Sequence, residues 1–193
     1  MAVQSVEMER AVVAAGGRSI DIVPPNGYCI LGDTVETGEQ AVFALIGRCS
    51  DGPATAFPDG LLTASVSHAP LFREGTPVAD ELDALETFLG SAEGRSLLAR
   101  STAPEDLEII ETYREDGMLV LLIEDRGVAT LPVSTPRFWR AFLEVNQRMV
   151  SVSASALEGD EASERAVLAL LRAFAKELRM ANARPVLGLP SAG

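Results

Sequence analysis

The sequence predicts an α+β domain, an antiparallel sheet of about six to eight strands flanked by helices and closed by a C-terminal amphipathic helix. Three stretches carry that expectation. LEIIETYRE and MLVLLIED flank Asp116-Gly117, a pair that supplies the positive φ angles of a two-residue type I′ hairpin. Residues 118–123 are apolar without interruption, as in a strand covered on both faces, so layers should lie on either side of the sheet. In DEASERAVLALLRAFAKELRMAN, Val167, Leu170, Leu171, Phe174 and Leu178 form one helical stripe. Glu161 and Glu164 stand at its start and Lys176 and Arg179 near its end, as the helix dipole prefers.

The other elements follow in chain order. Residues 1–16 read as a short helix or lead-in, residues 17–183 as a single domain, and 184–193 as a loose tail. In RSIDIVPP, Ile20 and Ile22 alternate with polar neighbours and stop at a double proline, which gives a short strand at a sheet edge. Asn26-Gly27 turns the chain into the extended YCIL. QAVFALIGRC, 40–49, is apolar on both faces and reads as a buried strand, with a short buried helix as the alternative. DGPATAFPDG is a loop, and LLTASVSHA, 61–69, alternates as a strand. Thr76 as N-cap, Pro77 at the first helical position and the spacing of Leu82, Leu85 and Leu89 predict a helix that stops at Gly90. Ser91 caps a second short helix running through Leu97 and Leu98. FWRAFLEV and RMVSVSASA flank Asn146-Gln147 and read as a second hairpin; a helix starting at Thr135-Pro136 is the alternative.

Charge narrows the partners. The net charge is −12 with the acids spread along the chain, and the densest cationic group, Arg137, Arg140 and Arg148, has Glu144 among it. With no basic stripe, neither nucleic acid nor an anionic membrane surface is an expected partner. No apolar run approaches the ~18 residues of a membrane span. The N-terminus lacks the basic and apolar segments of an export signal, which taken alone predicts a cytoplasmic protein.

Chemistry-bearing residues are few. Dinucleotide, P-loop, nucleophile-elbow and zinc-protease motifs are absent from the sequence, and neither a cofactor nor a metal is expected. The single histidine, His68, ends the LLTASVSHA strand on the face of Leu62, Ala64 and Val66. It reads as a partly covered, hydrogen-bonded strand-end residue, or else as the general base of a hydrolase. Acid clusters at 79–86 and 158–164 sit at helix starts and read as solvated faces. Trp139 and Tyr113 are sheet aromatics that belong either to the core or to a pocket wall. His68, Trp139 and Arg140 are the candidate ligand contacts.

Cys29 and Cys49 are the only cysteines, and their spacing is nothing like a zinc motif. They form either a disulfide between neighbouring strands or two buried thiols. An even pair with no stray thiol favours the bridge, and with it an oxidising compartment.

The succession PPNGYC, AVFALIGRC, LLTASVS, FWRAFLEVNQRMVSVSAS and a final helix ending in AN resembles a group of uncharacterised alphaproteobacterial envelope proteins, over residues 20–182. The resemblance implies export to the periplasm or cell envelope. It also implies a wider second turn, because Gln147 stands where those proteins often carry glycine. The hairpins and closing helix are, in element order, similar to PsbP-like folds, antiparallel sheets with flanking helices that serve as binding or assembly modules. The combined expectation is a non-catalytic binding or assembly module of the bacterial cell envelope with a protein or small-molecule partner. The alternative is a hydrolase built around His68.

Overall fold

The computed structural model describes residues 6–70, 76–99, 104–127 and 134–183. The predicted tail, 184–193, lies outside them. In chain order the elements are β1 (Glu7–Met8), β2 (Ala11–Ala15), β3 (Arg18–Ile22), β4 (Tyr28–Leu31), β5 (Glu36–Thr37), β6 (Ala41–Arg48) and β7 (Gly60–Ser67). Then come α1 (Val78–Leu89), α2 (Ala92–Leu98), β8 (Leu107–Glu115), β9 (Met118–Asp125), β10 (Ser134–Val145), β11 (Arg148–Leu157) and α3 (Glu164–Asn182). The main sheet runs β1-β4-β6-β7-β11-β10-β9-β8, with β5 beside β6, and β2-β3 is a separate hairpin. Every strand pair is antiparallel. The α+β expectation therefore holds.

Both hairpin turns are two residues long. Asp116 and Gly117 have φ of 47° and 70°, and Asn146 and Gln147 have φ of 48° and 64°. The second turn is not wider, contrary to the expectation drawn from Gln147, since Val145 pairs directly with Arg148. Pairing that continues without slippage to Phe138 and Ser155 holds Gln147 in the left-handed region, and the Asn146 side chain donates to the Ser19 carbonyl at 3.1 Å.

The N-terminal segment departs from its predicted helix. Alternation turns Val13 and Ala15 inward, and Gly16 and Gly17, both at positive φ, fold β2 back on β3. Five residues rich in valine and alanine give a helix too little propagation to offset its nucleation cost, whereas a strand needs only a partner. Arg148 pins this hairpin to the sheet by donating to the Ala15 carbonyl at 3.0 Å and to the Gly16 carbonyl. A side chain at Gly16 would run into the His68 carbonyl.

On one sheet face lie α3 and the β2-β3 hairpin. Leu170, Leu171, Phe174 and Leu178, with Ile20 and Ile22, pack on Ile46, Leu62, Val66, Val152 and Leu143. On the other face, Leu82, Leu85 and Leu89 of α1 and Leu98 of α2 cover Leu119, Leu121 and Ile123 of β9, together with Phe138 and Phe142. The apolar run of β9 is thus buried from both sides. Gly94 lets α2 start tight against the end of α1, where any Cβ would meet the Phe88 carbonyl.

This second layer ends at β10, so β6 is not the doubly buried strand its composition predicted. Val42, Ala44 and Ile46 are buried, but Phe43 on the opposite face is exposed. At the far edge, β8 breaks register between Ile109 and Glu111, a bulge that discourages edge-to-edge pairing.

Candidate functional site, a cleft on the half-covered sheet face

Where α1 and α2 stop, the bare part of the sheet forms a trough whose shape follows from cross-strand register. In one row Phe142 of β10 opposes Ser151 of β11, Ser151 opposes Ser65 of β7, and Ser65 opposes Phe43 of β6. Two short hydroxyl side chains thus lie between two phenyl rings, and the floor sinks at the serines. The next row reads Arg140, Ser153, Thr63, Leu45, and in it the Thr63 and Ser153 hydroxyls bond each other. Leu85, Phe88 and Leu89 of α1 and Leu97 and Leu98 of α2 raise one wall. The cleft measures about 390 Å³, within the ~300–1,000 Å³ range of small-molecule sites.

Its rim is apolar. Seven large hydrophobic side chains stand exposed among the described residues, and three of them line this cleft: Phe43 at 37%, Phe88 at 39% and Leu97 at 66%. Scattered exposed hydrophobics are ordinary, but clustering around a concavity marks a binding surface.

Arg140 is the one charged residue lining the cleft among those described. Its Nη1 donates to the Leu98 carbonyl at 3.1 Å, and its guanidinium lies 5.2 Å from the centre of the Phe138 ring. Its Nε is enclosed without an acceptor. Burial lowers its pKa to about 10, Asp125 opposing that shift, so the guanidinium stays charged at neutral pH.

The other two predicted contacts lie elsewhere. Trp139, next to Arg140 in the chain, points to the opposite sheet face, as strand alternation requires. It is buried there, packs edge-on against Tyr113 at 6.1 Å and donates from Nε1 to the Glu164 carbonyl at 3.0 Å. It thereby fixes the start of α3 while lining a smaller cleft of about 320 Å³ with Arg137 and Asp160. His68, just beyond β7, has its Nε2 2.9 Å from the Gly38 carbonyl, in the turn before β6. The structure does not bring His68, Trp139 and Arg140 together.

Cys29 and Cys49 lie at disulfide-bonding distance with Cα atoms 5.0 Å apart, which joins β4 to the residue after β6. The Cys49 amide also donates to the Gly27 carbonyl at 3.1 Å. Glu7 sits within 4.8 Å of both sulfurs and accepts from the Ser50 amide and hydroxyl, which lower its pKa. Bridged sulfurs supply neither a thiolate nucleophile nor a metal ligand. No helix among the described residues is long and apolar enough to cross a membrane.

Sequence reasoning missed Phe43, Ser65, Phe88, Leu97 and Ser151. The signal available was the SVSAS stretch of β11, where serine alternates with apolar residues, together with LTASVS in β7. Both strands put hydroxyls on the face that α3 does not cover. No protein-family model, curated protein or solved structure matches this chain.

Proposed function

We propose that the protein is a non-catalytic binding module of the cell envelope that holds a small apolar-bodied molecule in the cleft between the bare sheet face and α1-α2. The observation that carries this reading is the clustering of Phe43, Phe88 and Leu97 around a serine-floored trough. Exposing three such side chains at one place is unfavourable in water, at roughly 25 cal/mol per Å² of apolar surface that could be covered. A ligand recovers that loss. The disulfide supports placement in an oxidising compartment, as the resemblance to envelope proteins implies. The hydrolase alternative has behind it a histidine whose described hydrogen bond runs to a backbone carbonyl.

The test is titration with the neutral dye N-phenyl-1-naphthylamine. Binding should saturate at one dye per chain and be lost in Ser65→Trp, which fills the trough from its open face. His68→Ala should bind the dye like the parent chain. If a Ser65→Trp protein of parental circular dichroism bound the dye unchanged, the cleft would not be the site.

A further inference from the structure

We infer that the cleft's ligand is a single-chain amphipathic carboxylate, with its carboxylate seated at Arg140 and its hydrocarbon chain lying along the serine trough beneath Phe88 and Leu97. The inference rests on the cleft being a binding site and adds the chemical class of what it takes.

Three features point there. Arg140 is a half-buried cation whose hydrogen bond goes to a neutral carbonyl and whose Nε is enclosed without an acceptor; Asp125 acts on it electrostatically, but among the described residues it forms no salt bridge. A charge partly withdrawn from water with an unpaired donor is costly, and a carboxylate is the partner that offsets the cost through charge-assisted, bidentate hydrogen bonds. Second, the protein carries a net charge of −12, yet acidic residues are missing from the described lining of this cleft; Asp125, whose charge acts on Arg140, is not among the lining residues. Third, Arg140 lies one row from the Phe142-Ser151-Ser65-Phe43 trough, so headgroup and chain have adjoining places at opposite polarity. The volume of about 390 Å³ is near the lower end for ligand sites and suits one chain.

The experiment is displacement of N-phenyl-1-naphthylamine from the full chain by decanoate, decan-1-ol and decyl phosphate, each below its micelle threshold at neutral pH. Decanoate should compete at concentrations about tenfold or more below decanol, the weight of one charge-assisted contact. Arg140→Met should abolish that preference while leaving decanol competition unchanged, and Arg140→Lys should retain part of it. Equal competition by decanoate and decanol would overturn the inference and leave the apolar cleft standing. Decyl phosphate competing more than about tenfold better than decanoate would overturn the carboxylate in favour of a phosphate headgroup. Failure of the dye itself to bind would remove the binding reading beneath both. The comparison of three ligands on the parent chain stands even if an Arg140 variant misfolds.

Discussion

Removing the Cys29–Cys49 bridge measures how the N-terminal third of the chain is held. The residues are 20 apart in sequence, and closing a loop of that length in the unfolded chain stabilises the folded state by roughly 3 kcal/mol in the chain-entropy model. For a domain of this size each kcal/mol corresponds to ~2–4 °C, so Cys29→Ala/Cys49→Ala should melt about 6–12 °C lower. The strands it joins are already paired, with Cys29 opposite Gly47 and Ile30 opposite Ile46, and Tyr28 and Ile30 are core residues. The folded structure should therefore persist, and the loss should come from a freer unfolded chain. Urea unfolding separates these origins. The midpoint should fall while the m-value rises, because the uncrosslinked chain exposes more surface when it unfolds. An unfolding free energy lowered by less than about 1 kcal/mol at unchanged m would refute the reasoning, since the loop would then not be constraining the unfolded ensemble.

Two further outcomes follow from the backbone and from a buried phenol. Gln147 occupies a left-handed position with φ of 64°, so Gln147→Gly should stabilise the protein by about 1 kcal/mol, less whatever its exposed bond with Arg18 contributes; a higher urea midpoint at unchanged m checks it. Tyr28 donates to the Pro58 carbonyl, and burial pushes its pKa up to about 12 against Arg48, which draws it down. The folded state thus holds the proton more tightly than the unfolded chain, whose tyrosines titrate near ~10. The stability this contributes is complete below the unfolded value and is lost as pH rises from about 10 through about 12. Unfolding midpoints across that window should fall more steeply for the parent than for Tyr28→Phe, and equal slopes would sink the assignment.

The strands, the hairpins and α3 were legible because their signals are local. Asp116-Gly117 fixes a turn through its own φ preferences, and the Val167-to-Leu178 stripe declares its buried face by spacing. Residues 6–16 were misread because AVVAA has no period of its own. What decided it was Gly16-Gly17, whose positive φ angles let β2 find β3. The Asn146-Gln147 turn was legible as a turn but not in width. Its tightness is imposed by eight residues of uninterrupted pairing on either side rather than by the turn residues.

The cleft was the least legible part, for a reason that lies in layer coverage. Period-two alternation already says that Trp139 and Arg140 face opposite ways, and that Phe43, Ser65 and Ser151 face away from Val42, Ala44, Ala64 and Val150. It does not say which face is left bare. That depends on where α1 and α2 end, and their leucines are spent on β9 and β10. With a twelve-residue α1 and a seven-residue α2, the helical layer is too short to reach β7 and β6. The sequence meets this with serine and threonine on the uncovered stretch, which keeps a bare sheet face compatible with water. Phe43 breaks that rule, Phe88 and Leu97 line the same cleft from the helices, and Arg140 adds a charge that has no salt-bridge partner among the described residues. Local violations of an otherwise consistent pattern are where function is to be sought.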